Sequence, residues 1–115
     1  MAQYIDVDNL VTALQRFADE RGWQPFHTPR NLMLALTGEV GELAEIFQWL
    51  PDDKAARLKD DPDVYRHLHE ELADVLLYLV RLASVLDVDL DRAVADKLVK
   101  NAIKYPATVG GLEQR

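Results

Sequence analysis

The sequence predicts an all-α protein built as a four-helix-bundle-like domain. Apolar residues recur at the spacing i, i+3, i+4, i+7 along several segments, which is the pattern of a helix that buries one face. No stretch alternates apolar and polar residues for long enough to indicate a half-buried strand. Glycine and proline, with five residues each, lie almost entirely between the periodic segments, where they end helices and form connections.

The first two helices are bounded by residues that start and stop helices. Residues 8–21 carry the first apolar stripe, and Gly22 provides a stop after it. The second helix begins at Thr28 and Pro29, because a threonine hydroxyl can cap the first turn and proline fits where a backbone N–H has no partner. Its apolar pattern continues to about Leu50, where the following proline ends it.

The third helix is expected to be the central one. It follows a charged segment, residues 51–63, whose bounding prolines predict a surface connection with at most one or two helical turns. The helix itself is expected over residues 64–86, and its second half is apolar almost all round. Such a helix needs to be covered on more than one side.

The fourth helix completes the predicted domain. Asp89 or Asp91 can cap its first turn, and its pattern runs to about Tyr105. We therefore expect one domain over residues 1–106 and a flexible C-terminal tail over residues 107–115, which contain two adjacent glycines.

The surplus apolar surface of the third helix predicts self-association. A chain of 115 residues buries only about two thirds of the surface that its unfolded form exposes, so a layer of helices benefits from a second copy. We expect a homo-oligomer, a dimer or a tetramer, in which Leu77, Val80 or Val85 meets a symmetry-related subunit across a two-fold axis.

Composition narrows the function classes. Thirteen Lys and Arg residues against twenty Asp and Glu residues give a net charge of −7, which argues against binding a nucleic-acid polymer. A phosphate ligand would need a metal ion to mediate its binding. The absence of cysteine excludes disulfides, zinc–thiolate sites and thiol nucleophiles. With no signal segment and no apolar run approaching the roughly 20 residues that span a bilayer, we expect a cytoplasmic protein without a membrane partner.

Carboxylates occupy positions on two helices where apolar side chains are expected. On the second helix Glu39 falls inside the apolar stripe, Glu42 lies at its edge and Glu45 on the opposite side. On the third helix Glu71 lies on the shoulder of the stripe, and Asp74 is embedded among apolar residues one turn further along. An ionised carboxylate is buried only when it is neutralised, paired with a cation or bound to a metal.

Two interpretations of these carboxylates remain open from the residues alone. Basic residues, among them Arg30, Arg81 and Lys97, could pair with them in a non-catalytic all-α dimerisation or regulatory module. Alternatively, two helices that each present carboxylates at i and i+3 can converge four oxygen ligands on one point, which suits Mg²⁺ or Mn²⁺. A melting curve with and without Mg²⁺ would separate the two.

A row of polar residues on the fourth helix suits a phosphate ligand. Lys97, Asn101 and Lys104 follow at i, i+4 and i+7 and form a cationic ridge. Alone, such a ridge is typical of a solvated face, but beside a carboxylate-bound metal it is suited to phosphate oxygens. Large side chains at loops and helix ends could form a pocket that stacks a base: Trp23, Phe26, His27 and Trp49.

Around the carboxylates the sequence resembles the MazG-like nucleoside triphosphate pyrophosphohydrolases. The signature of that family is Glu-x-x-Glu, a spacer and Glu-x-x-Asp, and this chain has Glu39-Val-Gly-Glu42 and Glu71-Leu-Ala-Asp74. The surrounding residues are similar to the dCTP pyrophosphatase branch, and the likeness covers roughly residues 14–106. The segments that carry it are residues 26–32, 38–45, 47–49 and 70–76, together with Tyr78.

The resemblance implies an activity. Members of the family are all-α bundles, assembled as dimers or tetramers, that hydrolyse a (deoxy)nucleoside triphosphate to the monophosphate and pyrophosphate. The resemblance implies Mg²⁺, with Mn²⁺ as a substitute, and a pyrimidine substrate such as dCTP, in an enzyme that clears nucleotides from the cellular pool. Vertebrate members carry a histidine near the position of Leu14, and since leucine cannot hydrogen-bond a base, the base preference stays open.

The resemblance also implies roles for particular residues. Glu45 is an extra carboxylate beside the signature, and we include it among the catalytic candidates. The implied metal ligands, which are also catalytic, are Glu39, Glu42, Glu71 and Asp74. Base and sugar would be held by Trp23, His27, Trp49 and Tyr78, and the triphosphate by Lys97, Asn101, Lys104 and Tyr105.

Overall fold

The structure, a computed structural model, describes residues 3–107, and within them it consists of helices and turns without strands. The all-α fold class is confirmed. Residues 108–115, which make up most of the predicted tail, lie outside the described residues. None of the helices in the described range is long and apolar enough to cross a membrane. The helices are α1 (Asp8–Glu20), α2 (Pro29–Phe47), α3 (Asp52–Ala55), α4 (Pro62–Val85) and α5 (Leu90–Lys104), and short 3₁₀ turns span Gln24–Phe26 and Leu58–Asp60.

The ends of α2 follow from its flanking residues. The Oγ1 atom of Thr28 accepts a hydrogen bond at 3.2 Å from a backbone N–H of the first turn, and Pro29 occupies the first helical position. The helix ends at Phe47, earlier than predicted. Because the ring of Pro51 disfavours helical geometry in the residue before it, the chain leaves α2 through a turn in which the Leu50 N–H donates to the Phe47 carbonyl oxygen at 3.0 Å.

Aspartates cap α4 and α5. Asp61 accepts a hydrogen bond from the first turn of α4 at 3.4 Å, and Pro62 fits the first position, so α4 begins earlier than predicted. At α5 the cap is Asp89, which accepts from the first turn at 3.0 Å. Asp91 instead accepts hydrogen bonds at 2.7 and 3.0 Å from the backbone of residues 4–5, and it ties the N-terminal segment to the start of α5.

The helix α4 is central, as its apolar sequence predicted. It packs most extensively along α2 and also against α1 and the second 3₁₀ turn. Packing on several sides buries apolar side chains that a surface helix would leave in water. The core side chains, each at most 9% exposed, are Ala18, Leu32, Leu36, Leu58, Val80 and Ala83.

The single chain leaves much apolar surface uncovered. Within the described residues, α5 is not among the well-packed helix pairs. The radius of gyration is 17.6 Å, whereas a compact domain of this length would have about 13 Å. Val80, which was expected to meet a partner, is instead fully buried by the packing of the chain itself. Large uncovered apolar residues of α4 and α5 include Leu72, Leu76, Leu79, Leu98, Val99 and Ile103, and Leu86 directly after α4 is also exposed.

Candidate active site

Three carboxylates from α2 and α4 converge in the structure. One oxygen each of Glu39, Glu42 and Glu71 lies within 4.8 Å of the other two. The convergence arises because Glu39 and Glu42 are one turn apart on α2, and α2 packs along α4. Glu71 is only 7% exposed, whereas Glu39 is half-buried and Glu42 is exposed. The acidic cluster, as we call these three residues, therefore reaches from the helix interface to the surface.

The acidic cluster disfavours full ionisation. Desolvation by burial and the negative charge of Glu42 raise the pKa of Glu39 to about 7. A side-chain hydrogen bond with Glu71 and the charges of Asp74 and Glu71 raise this pKa further. Without a cation, Glu39 is therefore about half protonated near neutral pH. A divalent cation would balance the crowded negative charge and favour the ionised carboxylates.

One acceptor in the acidic cluster is unsatisfied. When Glu39 is ionised, the buried Oε1 atom of Glu71 has no hydrogen-bond partner among the described residues. Its Oε2 atom lies 3.2 Å from Nε2 of His67, one turn earlier on α4. A buried carboxylate oxygen without a partner is costly in a folded protein. It has the chemistry of a ligand for a hard divalent cation, so the residues present fit such an ion.

Apart from the contact of His67 with Glu71, no arginine or lysine side chain pairs with these carboxylates within residues 3–107. The ion pairs that arginine forms there involve other acids, close in sequence. Arg81, one of the expected partners, instead donates its Nε–H to Nδ1 of His27 at 3.0 Å and an Nη1–H to Oε1 of Gln15 at 2.8 Å. The interpretation in which the inward carboxylates are salt-bridged is therefore not supported by this part of the chain.

Asp74 links the acidic cluster to a cavity. Its charge contributes to the raised pKa of Glu39, although its carboxylate is not one of the three that converge. It also lines a cavity of about 160 Å³, which we call the ring cavity, between α1, the loop before α2, and α4. Aromatic groups meet at its wall, since the ring centroid of Trp23 lies 5.5 Å from that of Phe17 and 5.9 Å from that of His27. Predicted base-binding residues on the wall are Trp23, His27 and Tyr78, joined by Leu14, Phe17 and Arg81.

The sequence indicated Arg81 only as a possible partner of the carboxylates, and it gave no indication of Gln15. Arg81 is only 4% exposed and lines the ring cavity. A local signal for it does exist, because Asp74, Tyr78 and Arg81 follow at i, i+4 and i+7 and so share one face of α4. The hydrogen bond with Gln15 joins residues that are 66 positions apart, and that with His27 joins residues 54 positions apart. Neither contact has a local sequence signal.

Two predicted site residues on or after α2 lie at the surface. Glu45 is exposed, one turn beyond Glu42. Trp49 follows the end of α2 and is 86% exposed, and it does not line the ring cavity. Both residues are open to a ligand that approaches from solvent.

The predicted triphosphate residues of α5 stay apart from the carboxylates in the single chain. In the described residues no hydrogen bond or ion pair joins Lys97, Asn101 or Lys104 to the acidic cluster or to Asp74. The Nζ atom of Lys104 lies 5.3 Å over the ring of its neighbour Tyr105. Lys97, Asn101 and Lys104 all lie on α5, and the fold of one chain does not connect them to the acidic cluster, so the cationic ridge stays a prediction.

Comparisons with known proteins match this chain to a protein family and to a solved structure. A family model described as the MazG-like family matches residues 35–114. The crystal structure of a pyrophosphatase from Archaeoglobus fulgidus superposes with a TM-score of 0.77 at 38% sequence identity. That match covers 92% of this chain and 97% of the archaeal chain, so it includes nearly the whole helical framework.

Mammalian relatives match a large part of the chain. It is 53% identical over 90 residues to dCTP pyrophosphatase 1 from Bos taurus, which covers 78% of this chain and 53% of that protein. It is 54% identical over 91 residues to dCTP pyrophosphatase 1 from Homo sapiens, which covers 79% of this chain and 54% of that protein. The matched part thus spans about half the length of these relatives.

Proposed function

This chain belongs to the MazG-like family, and we propose that it hydrolyses a (deoxy)nucleoside triphosphate to the monophosphate and pyrophosphate in a Mg²⁺-dependent reaction. The proposed substrate is a pyrimidine nucleotide such as dCTP, because relatives that are more than half identical are named dCTP pyrophosphatase 1. Such an enzyme would clear nucleotides from the cellular pool.

The position of Asp74 is the observation that carries the proposal. Its charge acts on Glu39 in the acidic cluster, and its side chain also lines the ring cavity. A nucleotide with its base in the cavity would therefore direct its phosphates toward the carboxylates. This arrangement suits a ligand that has an aromatic ring at one end and a polyanion at the other.

The proposed ligands of the divalent cation are the four signature carboxylates. Support comes from the buried, unpartnered Oε1 of Glu71 and from the raised pKa of Glu39, both of which a bound cation would relieve. When bound, Mg²⁺ or Mn²⁺ would neutralise phosphate charge and make a water molecule more acidic. The exposed carboxylates of Glu42 and Glu45 are each able to accept a proton from the attacking water. The proposed ligands are Glu39, Glu42, Glu71 and Asp74.

Aromatic residues at the ring cavity are proposed to hold the base. Trp23 and Tyr78 offer ring faces and edges, and stacking on such side chains contributes about 1–3 kcal/mol per base. His27 adds a hydrogen-bonding group to the same wall. Trp49 would contact the substrate only from outside the cavity, because it is exposed beyond the end of α2.

We also propose that the enzyme is a homo-oligomer, a dimer or a tetramer, in which α5 packs against another copy. Three large apolar side chains of α5 are exposed in the single chain, and burying them would offset the cost of association. The same contact would place the cationic ridge of α5 against a neighbouring subunit. The residues proposed to bind the triphosphate there are Lys97, Asn101, Lys104 and Tyr105.

The proposed function is tested by identifying the products. The full chain would be incubated with Mg²⁺ and each common ribo- and deoxyribonucleoside triphosphate, and the products separated by ion-exchange chromatography. We expect pyrophosphate and a nucleoside monophosphate, with turnover lost on addition of EDTA. Orthophosphate with a nucleoside diphosphate would refute the proposed bond cleavage. Absence of turnover with every nucleotide, and of any Mg²⁺ effect on the melting temperature, would favour the non-catalytic module instead.

A further inference from the structure

Glu71, the most buried member of the acidic cluster, has a hydrogen-bond partner outside that cluster. His67 lies one turn before it on α4, and the Nε2 atom of His67 is 3.2 Å from Oε2 of Glu71. The side chain of Glu71 is 9% exposed, whereas that of His67 is 53% exposed. A ring that faces solvent on one side therefore contacts a buried carboxylate on the other.

The direction of this hydrogen bond follows from the chemistry of the two groups. An ionised carboxylate can only accept, so Nε2 of His67 is the donor whenever Glu71 is ionised. A neutral ring with its proton on Nε2 can donate in this way, and so can a protonated ring. The contact therefore does not depend on the charge of the histidine.

The hydrogen bond from His67 leaves the second oxygen of Glu71 for another partner. While Glu39 is protonated, a side-chain hydrogen bond joins it to Glu71. Once Glu39 is ionised, Oε1 of Glu71 is buried and has no hydrogen-bond partner among the described residues. Because His67 occupies Oε2, Oε1 is the oxygen that a cation can take without displacing a hydrogen bond.

His67 acts on a cation indirectly rather than as a ligand. Among the described residues, the side-chain atoms that lie within 4.8 Å of one another are carboxylate oxygens, and neither nitrogen of His67 belongs to that group. Mg²⁺ and Mn²⁺ prefer carboxylate oxygens, whereas imidazole suits metals such as zinc, copper and nickel. The contact with Glu71 therefore gives His67 an effect on the cation through the orientation of a ligand.

Orientation matters because a glutamate side chain has several rotatable bonds. A carboxylate that is free to rotate loses conformational entropy when a cation binds, whereas one that is already hydrogen-bonded has lost it beforehand. Loss of such a supporting hydrogen bond typically weakens metal binding about 10- to 100-fold. Since water competes for the half-exposed ring of His67, we expect an effect at the lower end of this range.

A second histidine on α4 shows that the contact depends on position. His69 lies two residues beyond His67, and its Nδ1 atom is 2.8 Å from the backbone oxygen of Tyr65. Its ring packs edge-on against the ring of Tyr65, with 4.4 Å between the ring centroids. Within residues 3–107 it forms no hydrogen bond with the acidic cluster. The four-residue spacing from His67 to Glu71, rather than the presence of a histidine, makes the contact.

We propose that His67 is a positioning residue of the divalent-cation site, an inference that rests on the Mg²⁺-dependent function proposed above. Its Nε2–H holds the carboxylate of Glu71 through Oε2 and leaves Oε1 free for the cation. Loss of this donor should weaken the binding of Mg²⁺ without changing the fold.

Isothermal titration calorimetry of the full chain with MgCl₂ at pH 8, where about 91% of Glu39 is ionised, tests this role without a nucleotide. His67→Ala removes the donor and should raise the dissociation constant for Mg²⁺ about tenfold. His67→Gln should keep the constant close to the wild-type value. Its amide nitrogen can donate, and it is as many bonds from Cβ as Nε2 of histidine is. His69→Gln is the matched control and should leave the constant unchanged.

Further measurements separate positioning from a purely structural role. In EDTA the helical circular-dichroism signal of His67→Ala should match that of the wild type. The rise in melting temperature on addition of Mg²⁺ should be smaller in His67→Ala and restored in His67→Gln. In turnover, the Mg²⁺ concentration that gives half of the maximal rate should rise while kcat at saturating Mg²⁺ is kept. If His67→Ala does not fold, His67→Asn replaces it, because the shorter amide cannot place a donor at the position of Nε2.

The outcomes separate this inference from the function on which it rests. An unchanged dissociation constant in folded His67→Ala, or in His67→Asn where that variant replaces it, would overturn the role of His67 and leave the cation site standing. Binding as weak in His67→Gln or in His69→Gln as in His67→Ala would do the same. A wild-type chain that binds Mg²⁺ but hydrolyses no nucleotide would overturn the activity alone. A wild-type chain that binds no Mg²⁺ would overturn the site, the Mg²⁺-dependent function and this inference together.

Discussion

Magnesium binding should strengthen as the pH rises through the pKa of Glu39. Desolvation and the neighbouring carboxylates raise this pKa to about 7, and a carboxylate must lose its proton before it can bind a metal. With that pKa, about 9% of Glu39 is ionised at pH 6 and about 91% at pH 8. If only the ionised form binds, the dissociation constant for Mg²⁺ falls about tenfold between these two pH values.

The assay is isothermal titration calorimetry of the full chain with MgCl₂ at pH 6 and pH 8. Ionic strength is held constant, because salt screens the exposed part of the acidic cluster. Repeating the titration at pH 6 in buffers with different ionisation enthalpies measures the protons released, and release of nearly one proton per chain is expected there. The readout needs no nucleotide, so it does not depend on the activity.

Two variants show whether Glu39 is the group that titrates. Glu39→Gln removes the carboxylate, so the pH dependence should disappear even if binding weakens overall. Glu20→Gln is the matched control, because Glu20 is exposed on α1 and pairs with Arg21 at 3.7 Å. It should retain the tenfold change. A dissociation constant that is equal at both pH values, or a pH dependence that survives in Glu39→Gln, would refute the reasoning.

Further predictions concern stability, catalysis and assembly. Because the pKa of Glu39 is raised, its contribution to the free energy of unfolding in EDTA should be greatest below pH 4.5 and should fall as the pH rises toward 7. Urea denaturation measures this free energy across the range. A free energy of unfolding that does not change with pH would show that the shift is absent. Glu42→Gln and Asp74→Asn should each abolish turnover. The helical circular-dichroism signal should be unchanged, and the metal-free melting temperature should be unchanged or raised, because each substitution relieves repulsion between carboxylates. Near wild-type activity of either variant at saturating Mg²⁺ would show that the substituted residue is not a ligand. Light scattering at micromolar concentration should show an oligomer, and Leu76→Glu on the uncovered face of α4 should dissociate it; a single-chain species in the wild type would contradict the assembly. If α5 acts on a neighbouring subunit, inactive Glu42→Gln and inactive Lys97→Ala chains should regain activity when they are mixed and allowed to exchange subunits. In a dimer about half of the molecules would then be mixed, each with one intact site of two, which gives about a quarter of wild-type activity. A mixture that stays inactive would mean that the cationic ridge acts within its own chain or does not contribute to the site.

The helices were predictable because each is specified by residues close to one another in the chain. Thr28 and Pro29 define the start of α2 through one hydrogen bond and one fixed dihedral angle, and both were readable from the sequence. The sequence predicts both the end of α2 and the start of α4 later in the chain than the structure has them. In both cases a proline allows more than one local geometry, and the backbone hydrogen bonds of the last or first turn decide between them.

The acidic cluster was partly predictable for the same reason. Carboxylates at i and i+3 share a helix face, so Glu39 and Glu42 had to lie together. Which carboxylate would be buried depended on how α2 packs against α4. The structure buries Glu71 more deeply than Asp74, although Asp74 has the more apolar neighbours in sequence. Apolar sequence neighbours are not the same as apolar contacts, and α4 has apolar residues exposed on one of its faces.

By itself, the sequence determined the helical fold, the central helix and the pairs of carboxylates that suit a metal, because these follow from the 3.6-residue periodicity of a helix. The tertiary structure alone decided the ring cavity and the hydrogen bonds from Arg81 to His27 and Gln15. These residues are 54 and 66 positions apart from Arg81 in the chain, and no local periodicity relates them. Their contacts exist because α1 and the loop before α2 close over one face of α4, where a buried guanidinium takes the nearest acceptors.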